Sequence, residues 1–586
     1  MRNEGEHPFG RGARGVEASL RSFAPVPAAA LTLIFTAASA SAQLVAPSQV
    51  TPAELRPAPA SSASIALPAA PGLIAPPGAA NLSIQLGAVV VEGGFDDLKA
   101  QSDSITNGVV GRKVTVAQVY DAASALEAAY GAAGYTLVRV VVPPQKLDPH
   151  GALKLIVVDG YVESVDVAGV PERQRALVAA RMAPLIGRRR VKLQEIERRV
   201  LLASDVPGLA LRSTLTPGLQ SGGAKLVLEG TDKLVSGSVG IDNNLPKSLG
   251  FWEYVVGLQL NDAFGQGEQI YFTETSGDNL DEWLGGRTPV QIVGGGFTLP
   301  IGLDGLVINP EYTNAQTRPQ APPDVPASQG YFQRADLRAS YPLIRTRAET
   351  LTVSSTLEWD QEYLVAKGFG VDLYDDDYFV ARGKVDSLTS LSGGAAVQAT
   401  GELSQGLDGR AGSNSLVPLS QQGASPEFTK LAGTARWTQP LAQAFSVAIV
   451  GEGQTSFGRP LMISEQFALD GPSAVSGFPT GEFMVDEGAL ARAELGRSVN
   501  LTLSGSSLGL EPYLFGAGGA GVVDQPTAVQ LGTLQVGSIG VGARTTFGAE
   551  KIPVGAALGV ELARYYSSLP LDRQGWRSNL SFSIRF

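Results

Sequence analysis

The 586-residue chain has no cysteine and only two histidines, His7 and His150. Thiol nucleophiles, disulfide frameworks and thiolate metal sites are excluded together, and imidazole chemistry nearly so. Excess positive charge is missing as well: 45 Lys plus Arg stand against 56 Asp plus Glu, a formal net charge of -11. That balance draws the chain neither to nucleic acid nor to anionic lipid, so no nucleic-acid partner is expected. No nucleotide loop is apparent, because the only Gly-Lys pair, Gly383-Lys384, is followed by Val385 where Ser or Thr is needed. GSSLG, 505–509, has the spacing of a hydrolase elbow, but without a usable histidine Ser507 reads as a hairpin residue. The acidic run DLYDDDY, Asp372 to Tyr378, lacks calcium-loop spacing and reads as a solvated loop. No cofactor, no metal and no catalytic residues are expected.

Long apolar runs are also absent. AAALTLIFTAA is too short to span a bilayer; it follows Arg2, Arg11, Arg14 and Arg21 and precedes Ala40-Ser41-Ala42, the pattern of a cleaved export signal over 1–42. No later run of 18 apolar residues follows, so a membrane-embedded chain must be a closed barrel. Residues 43–80 are rich in Pro and Ala, with Glu54 and Arg56 their only charges, and read as an extended linker.

Two modules follow, at 81–159 and 160–230. In the first, Leu82 to Gly93 reads as a strand, Val116 to Tyr130 as a helix with Val119, Ala123 and Leu126 on one face, and YTLVRVVVPPQ and GALKLIVVDG as two strands. The second repeats the order: YVESVDVAGV, a helix over 171–186, a helix over 191–203, then LALRSTLTPG and GGAKLVLEG. Two β-α-α-β-β units are the simplest account. Residues 161–230 hold 11 Lys/Arg against 7 acids, with Arg188, Arg189 and Arg190 in a row, a basic surface in an acidic protein.

After Gly230 the period becomes two. Trp252, Tyr254, Val256, Leu258 and Leu260 share one face and Glu253, Gly257, Gln259 and Asn261 the other; Leu351, Val353, Leu357 and Trp359 alternate likewise with Thr352, Ser354, Thr356 and Glu358. WRSNLSFSIRF ends the chain with Trp576, Leu580, Phe582, Ile584 and Phe586 on one face. Apolar-out, polar-in alternation over 231–586 is the pattern of a membrane barrel.

Three stretches, in this order, carry a resemblance: LEAAYGAAGYTLVRVVVPPQKLDPHGALKLIVVDGYVESVDVAGV, NDAFGQGEQIYFTETSG and SEQFALDGPSAVSGFPTGEFMVDEGALARAEL. The chain resembles the TpsB-type transporters of two-partner secretion, the haemolysin secretion/activation (ShlB/FhaC/HecB) family. The resemblance implies a transmembrane β-barrel of 16 antiparallel strands preceded by two periplasmic β-α-α-β-β POTRA modules. It implies a monomer in the bacterial outer membrane, in contact with its lipid and inserted by the barrel-assembly machinery, Phe586 being the C-terminal barrel signal. The implied partner is a secreted exoprotein with an N-terminal two-partner secretion domain. POTRA modules would capture it unfolded, with Arg188, Arg189 and Arg190 as candidate contacts, and the barrel would conduct it out. An outer-membrane assembly or insertion factor of the same superfamily is the alternative.

Two departures accompany the resemblance. The family's N-terminal plug helix has no convincing counterpart in the Pro-rich 43–80. The family's loop signature Val-Arg-Gly-Phe/Tyr reads Val475-Ser476-Gly477-Phe478, and the facing Phe-x-Asp-x-Gly reads Phe515, Ala517, Gly519, so Arg and Asp are missing together. A loop near 464–488 is therefore expected to dock in the lumen through close glycine packing and Phe478, without the usual ion pair.

Overall fold

A computed structural model describes residues 45–56, 64–66 and 73–586, apart from 147, 149, 279–286, 322–325, 408, 410–416, 504–505, 529, 550–551 and 570–572. Strands Ala88–Glu92, Ala152–Val158 and Arg139–Val141 form the first module's sheet, with 152–158 central, parallel to the first and antiparallel to the last. Helix Val116–Ala132 covers it; Thr115 caps its start by accepting from the Gln118 backbone N–H, and the Gln118 side chain answers the Thr115 N–H. A further helix, Lys99–Asn107, is too polar to announce itself, and its Ser102 and Thr106 donate back to the carbonyls of Leu98 and Ser102.

The second module pairs Leu209–Pro217 with Gly223–Asp232 and the latter with Tyr161–Gly169, under helices Glu172–Met182 and Leu193–Ser204. Val178, Met182, Ile196, Val200, Leu211 and Leu228 fill its core. This module is bolted to the barrel's near end: Arg199 meets Asp304, Arg345 meets Asp205 and Arg347 meets Glu197, at 2.6–2.7 Å.

The barrel strands are β1 (Val235–Asp242), β2 (Glu253–Asn261), β3 (Gln269–Ser276), β4 (Val290–Ile301), β5 (Leu306–Thr317), β6 (Ser328–Arg345), β7 (Glu349–Ala366) and β8 (Val371–Ser390). They continue as β9 (Ala396–Gly406), β10 (Thr429–Pro440), β11 (Phe445–Thr455), β12 (Glu487–Arg497, resumed at Val499–Leu503), β13 (Ser506–Val522), β14 (Thr533–Ala549), β15 (Ile552–Ser567) and β16 (Gln574–Arg585). Each is antiparallel to the next, and β1 pairs with β16 to close the ring. Alternation follows the pleat: on β7, Thr356, Glu358, Asp360 and Glu362 are buried in the lumen while Leu357 is exposed outside. Phe586 bonds Gly237 reciprocally at 3.0 Å at the seam. Among the described residues no helix is long and apolar enough to cross a membrane.

Two sequence expectations change. The acidic run lies on β8, where the pleat sends Tyr374 and Asp376 into the lumen and alternates them with Asp375 and Asp377, so its carboxylates do not converge. The linker over 43–80 is in part something else. Residues 45–56 lie inside the barrel, and Ser64–Ala66 adds a parallel strand to the edge of Leu209–Pro217. Proline forbids a long helix but suits a first turn, and Pro47 opens a single one, Pro47–Val50.

Candidate functional site

Two segments meet in the lumen. The first is that N-terminal stretch. Val45 and Val50 pack on Leu245, Leu249 and Val290 near the barrel's far end. Below them the wall supplies partners for backbone groups that a helix would otherwise satisfy. Ser48 donates its N–H and its hydroxyl to Glu362, at 3.0 and 2.8 Å, and the Leu55 N–H donates to Glu311. Arg334 donates to the Pro52 carbonyl at 2.7 Å, and Arg338 pairs with Glu54 at 2.6 Å. The Pro-rich composition concealed this lumenal segment because its polar contacts with the wall are made with strands more than 250 residues downstream.

The second segment is the β11–β12 connection, 456–486, which folds inward. Its base is an ion cluster: Glu465 receives Arg382 of β8 at 2.8 Å and Lys430 of β10 at 2.6 Å, and Tyr378 donates to it at 3.0 Å. Glu358, Asp360 and Glu465 lie close together, with Arg382 paired to both glutamates. Above the base, Phe467–Ala468 pairs with Met484–Val485, and Asp470 accepts from the Gly481 N–H at 2.8 Å. The two lumenal segments touch where Gln49 lies against Gly481, leaving no room for a side chain there.

The loop tip carries the sequence signature. Val475, Ser476 and Phe478 are buried. Phe478 packs edge-on to Phe483 with centroids 4.6 Å apart and against Tyr565 at 4.7 Å. Gly477 sits on Tyr565 and Ser538 so closely that any Cβ would collide. Ala517 joins the same apolar cluster, and Gly519 lets Leu469 approach β13.

The ion pair is not absent from this site; it is built from residues that the motif does not contain. Arg492 of β12 donates to the Ser476 hydroxyl at 2.8 Å and to Glu561 of β15 at 2.7 Å, while Ser476 donates to the other oxygen of Glu561. Tyr513 donates to Glu561 at 2.9 Å, Asn579 of β16 donates to the Ser476 carbonyl at 2.7 Å, and the Arg492 guanidinium lies 4.0 Å over the Phe515 ring. Sequence reasoning missed Arg492 and Glu561; the available signal was an inward charge in each of two alternating strands. The expected loop motif and facing strand motif are thus brought together. Arg188, Arg189 and Arg190 are not: they lie at the joint of the two N-terminal modules, with Arg188 2.7 Å from Glu195. Phe586 is at the barrel seam.

The described geometry has known counterparts. The family model for the haemolysin secretion/activation protein ShlB/FhaC/HecB matches residues 222–545, and that for the ShlB-type POTRA domain matches 84–160. The heme/hemopexin transporter protein HuxB of Haemophilus influenzae is 22% identical over 400 residues, covering 67% of this chain and 68% of its own. CdiB from Escherichia coli shares the fold with a TM-score of 0.67 at 17% identity, over 93% of this chain and 94% of its own. CdiB from Acinetobacter baumannii does so at 0.58 and 15%, over 86% and 89%. With the family model matching more than half of the chain and a POTRA domain ahead of it, the chain belongs to the haemolysin secretion/activation (ShlB/FhaC/HecB) family of two-partner secretion transporters.

Proposed function

We propose that this transporter receives an unfolded exoprotein, by its N-terminal secretion domain, on two periplasmic POTRA modules and passes it through the barrel to the cell surface. The observation that carries the reading is the content of the lumen. Residues 45–56 and 456–486 lie in it, yet neither belongs to the barrel's strand ladder; both are held by side chains of the wall. Segments held in this way can leave without opening the barrel, and a conduit remains. Module edges suit the client because main-chain pairing tolerates any sequence. The edge of Leu209–Pro217 is already occupied by Ser64–Ala66, so a client adding a strand there displaces three residues of the transporter's own chain. Net direction comes from folding of the client outside, since a folded domain cannot slide back.

On this reading the barrel sits in the outer membrane as a monomer, delivered by the barrel-assembly machinery. The test is reconstitution in liposomes with the modules outward. A urea-unfolded client with its secretion domain is expected to become protease-protected inside, and a client without that domain is not. Insertion of an unrelated barrel into the liposome membrane, with no client translocated, overturns the reading in favour of an assembly factor.

A further inference from the structure

The basic run Arg188-Arg189-Arg190-Val191-Lys192 connects the two helices of the second module, and the structure turns it toward the first. The Leu193 N–H donates to the Gly134 carbonyl at 2.8 Å, where the first module's long helix ends. Lys192 lies along Gly134 and sets its ammonium 5.3 Å over the Tyr135 ring. Arg190 holds its guanidinium 4.7 Å over Phe95, a ring already packed edge-on against Tyr130 and Tyr135 at 5.1 and 5.0 Å. Its backbone has φ 54°, a left-handed conformation uncommon for arginine, and its N–H donates to the Asp159 carboxylate at 3.1 Å. Arg189 donates to the Asp159 carbonyl at 2.7 Å and lies 3.8 Å over Tyr161. In the opposite direction, Leu137 of the first module packs on the second module's core.

Exposure alone does not mark these cations as client contacts. All three are exposed, yet each covers an aromatic face at the joint, a geometry that gains from the ring quadrupole. Two modules joined by a bare linker would move independently by default.

We propose that Arg189, Arg190 and Lys192 are positioning residues, a cation–aromatic clasp that fixes the angle between the two POTRA modules so that the client meets one rigid arm. The inference rests on the reading that the modules receive the client, but the clasp can be measured with no client present. Because the chain has no cysteine, Gln101→Cys on the first module and Leu219→Cys on the second give two spin-label sites in the full-length protein in detergent. The parent should give one narrow distance distribution by pulsed dipolar spectroscopy. Arg190→Ala with Lys192→Ala should broaden it at least twofold and reduce export, and Arg190→Lys should keep it narrow. Phe95→Leu, which removes no charge, should broaden it as well. An unchanged distribution in the double alanine variant overturns the clasp whatever happens to export; weaker client binding alongside it would identify these residues as client contacts. A narrow distribution in Phe95→Leu overturns the aromatic half. Translocation failing in all variants and in the parent counts against the transporter reading and leaves the distances to decide the clasp.

Discussion

Arg492 and Ala517 stand directly opposite each other on β12 and β13, and both face the loop tip. The position that carries the family's aspartate is therefore a methyl group here, and the guanidinium comes from the strand beside it. Arg492 reaches Glu561 and Ser476 together, so the charge pair belongs to the wall and the loop contributes a hydroxyl and the carbonyls of Ala474 and Ser476. A loop tip that leaves this site carries no charge with it.

The first prediction follows from what each residue would leave behind. Among the described residues Arg492 is the cation paired with Glu561, whereas Glu494 retains Arg544 at 2.8 Å. Arg492→Ala thus strands a buried carboxylate and should cost about 3–5 kcal/mol. Ser476→Ala, which removes one hydroxyl, should cost about 1 kcal/mol. Arg492→Lys should fall between them because an ammonium cannot copy the fork. Denaturant-dependent loss of heat-modifiable mobility would rank the three; equal stability of Arg492→Ala and parent would sink the argument.

Restoring the family's arginine tests the same site from the loop. Ser476→Arg places a second guanidinium beside Arg492 with one carboxylate between them, and export should fall. Ala517→Asp sets a carboxylate opposite Arg492, so the double variant should regain most of the export, measured as client shaved by protease from intact cells. The rescue should be incomplete, since the introduced carboxylate would also interrupt the apolar contacts that Ala517 makes.

How much was legible depended on the range of the interactions. The barrel was readable because the pleat writes burial into neighbouring residues: Glu358 inside and Leu357 outside need no knowledge of any distant strand. Helix Val116–Ala132 announced itself by its apolar face, and Lys99–Asn107 did not, because its sequence KAQSDSITN is polar. The plug was invisible because a Pro-rich stretch reads as extended, and the groups that hold it, Glu362 and Glu311, are hundreds of residues away. Arg189 and Arg190 read as surface because their aromatic partners come from elsewhere in the modules. The loop was recognisable by its glycines, but the motif alone could not reveal that β12 and β15 supply the pair.

The plug should behave as a removable part. Deleting residues 45–56 removes the contacts to Glu362, Glu311, Arg334 and Arg338 without touching a barrel strand. Single-channel recordings in planar bilayers should then show longer and larger open events, with the heat-modifiable barrel intact. Ser48→Ala should move in the same direction by less, since its N–H to Glu362 survives. Unchanged conductance on full deletion would mean that the inward loop alone seals the lumen.

Two glycines of the loop separate crowding from backbone strain. At Gly477 an added methyl collides with Tyr565, and Gly477→Ala should destabilise the docked tip by about 1–3 kcal/mol through overpacking. At Gly471 the space is open, with only Thr480 near at 3.9 Å, but φ is +114°, so alanine there is penalised by conformation alone. Both variants should raise protease cleavage within 456–486. Tyr565→Gly, which removes the Cβ that the new methyl meets, should relieve Gly477→Ala and leave Gly471→Ala unimproved; equal rescue would show that the tip is not the crowded element.

Phe586 invites a test that separates the two duties proposed for it, delivery and closure. Deleting it removes any signal read by the assembly machinery, but also the two backbone bonds to Gly237 at the seam, so a failed deletion variant is uninformative. Gly237→Ala leaves Phe586 in place. The new methyl would lie 2.6 Å from the Phe586 ring and 3.0 Å from the Gly257 carbonyl, a clash the narrow β1–β16 seam has to absorb. If Phe586 matters for closure, Gly237→Ala should reach the membrane in normal amount yet lose its compact, heat-modifiable form at a lower temperature than the parent. Were the variant as heat-resistant as the parent, the seam contact would be incidental, and the terminal aromatic would matter for delivery alone.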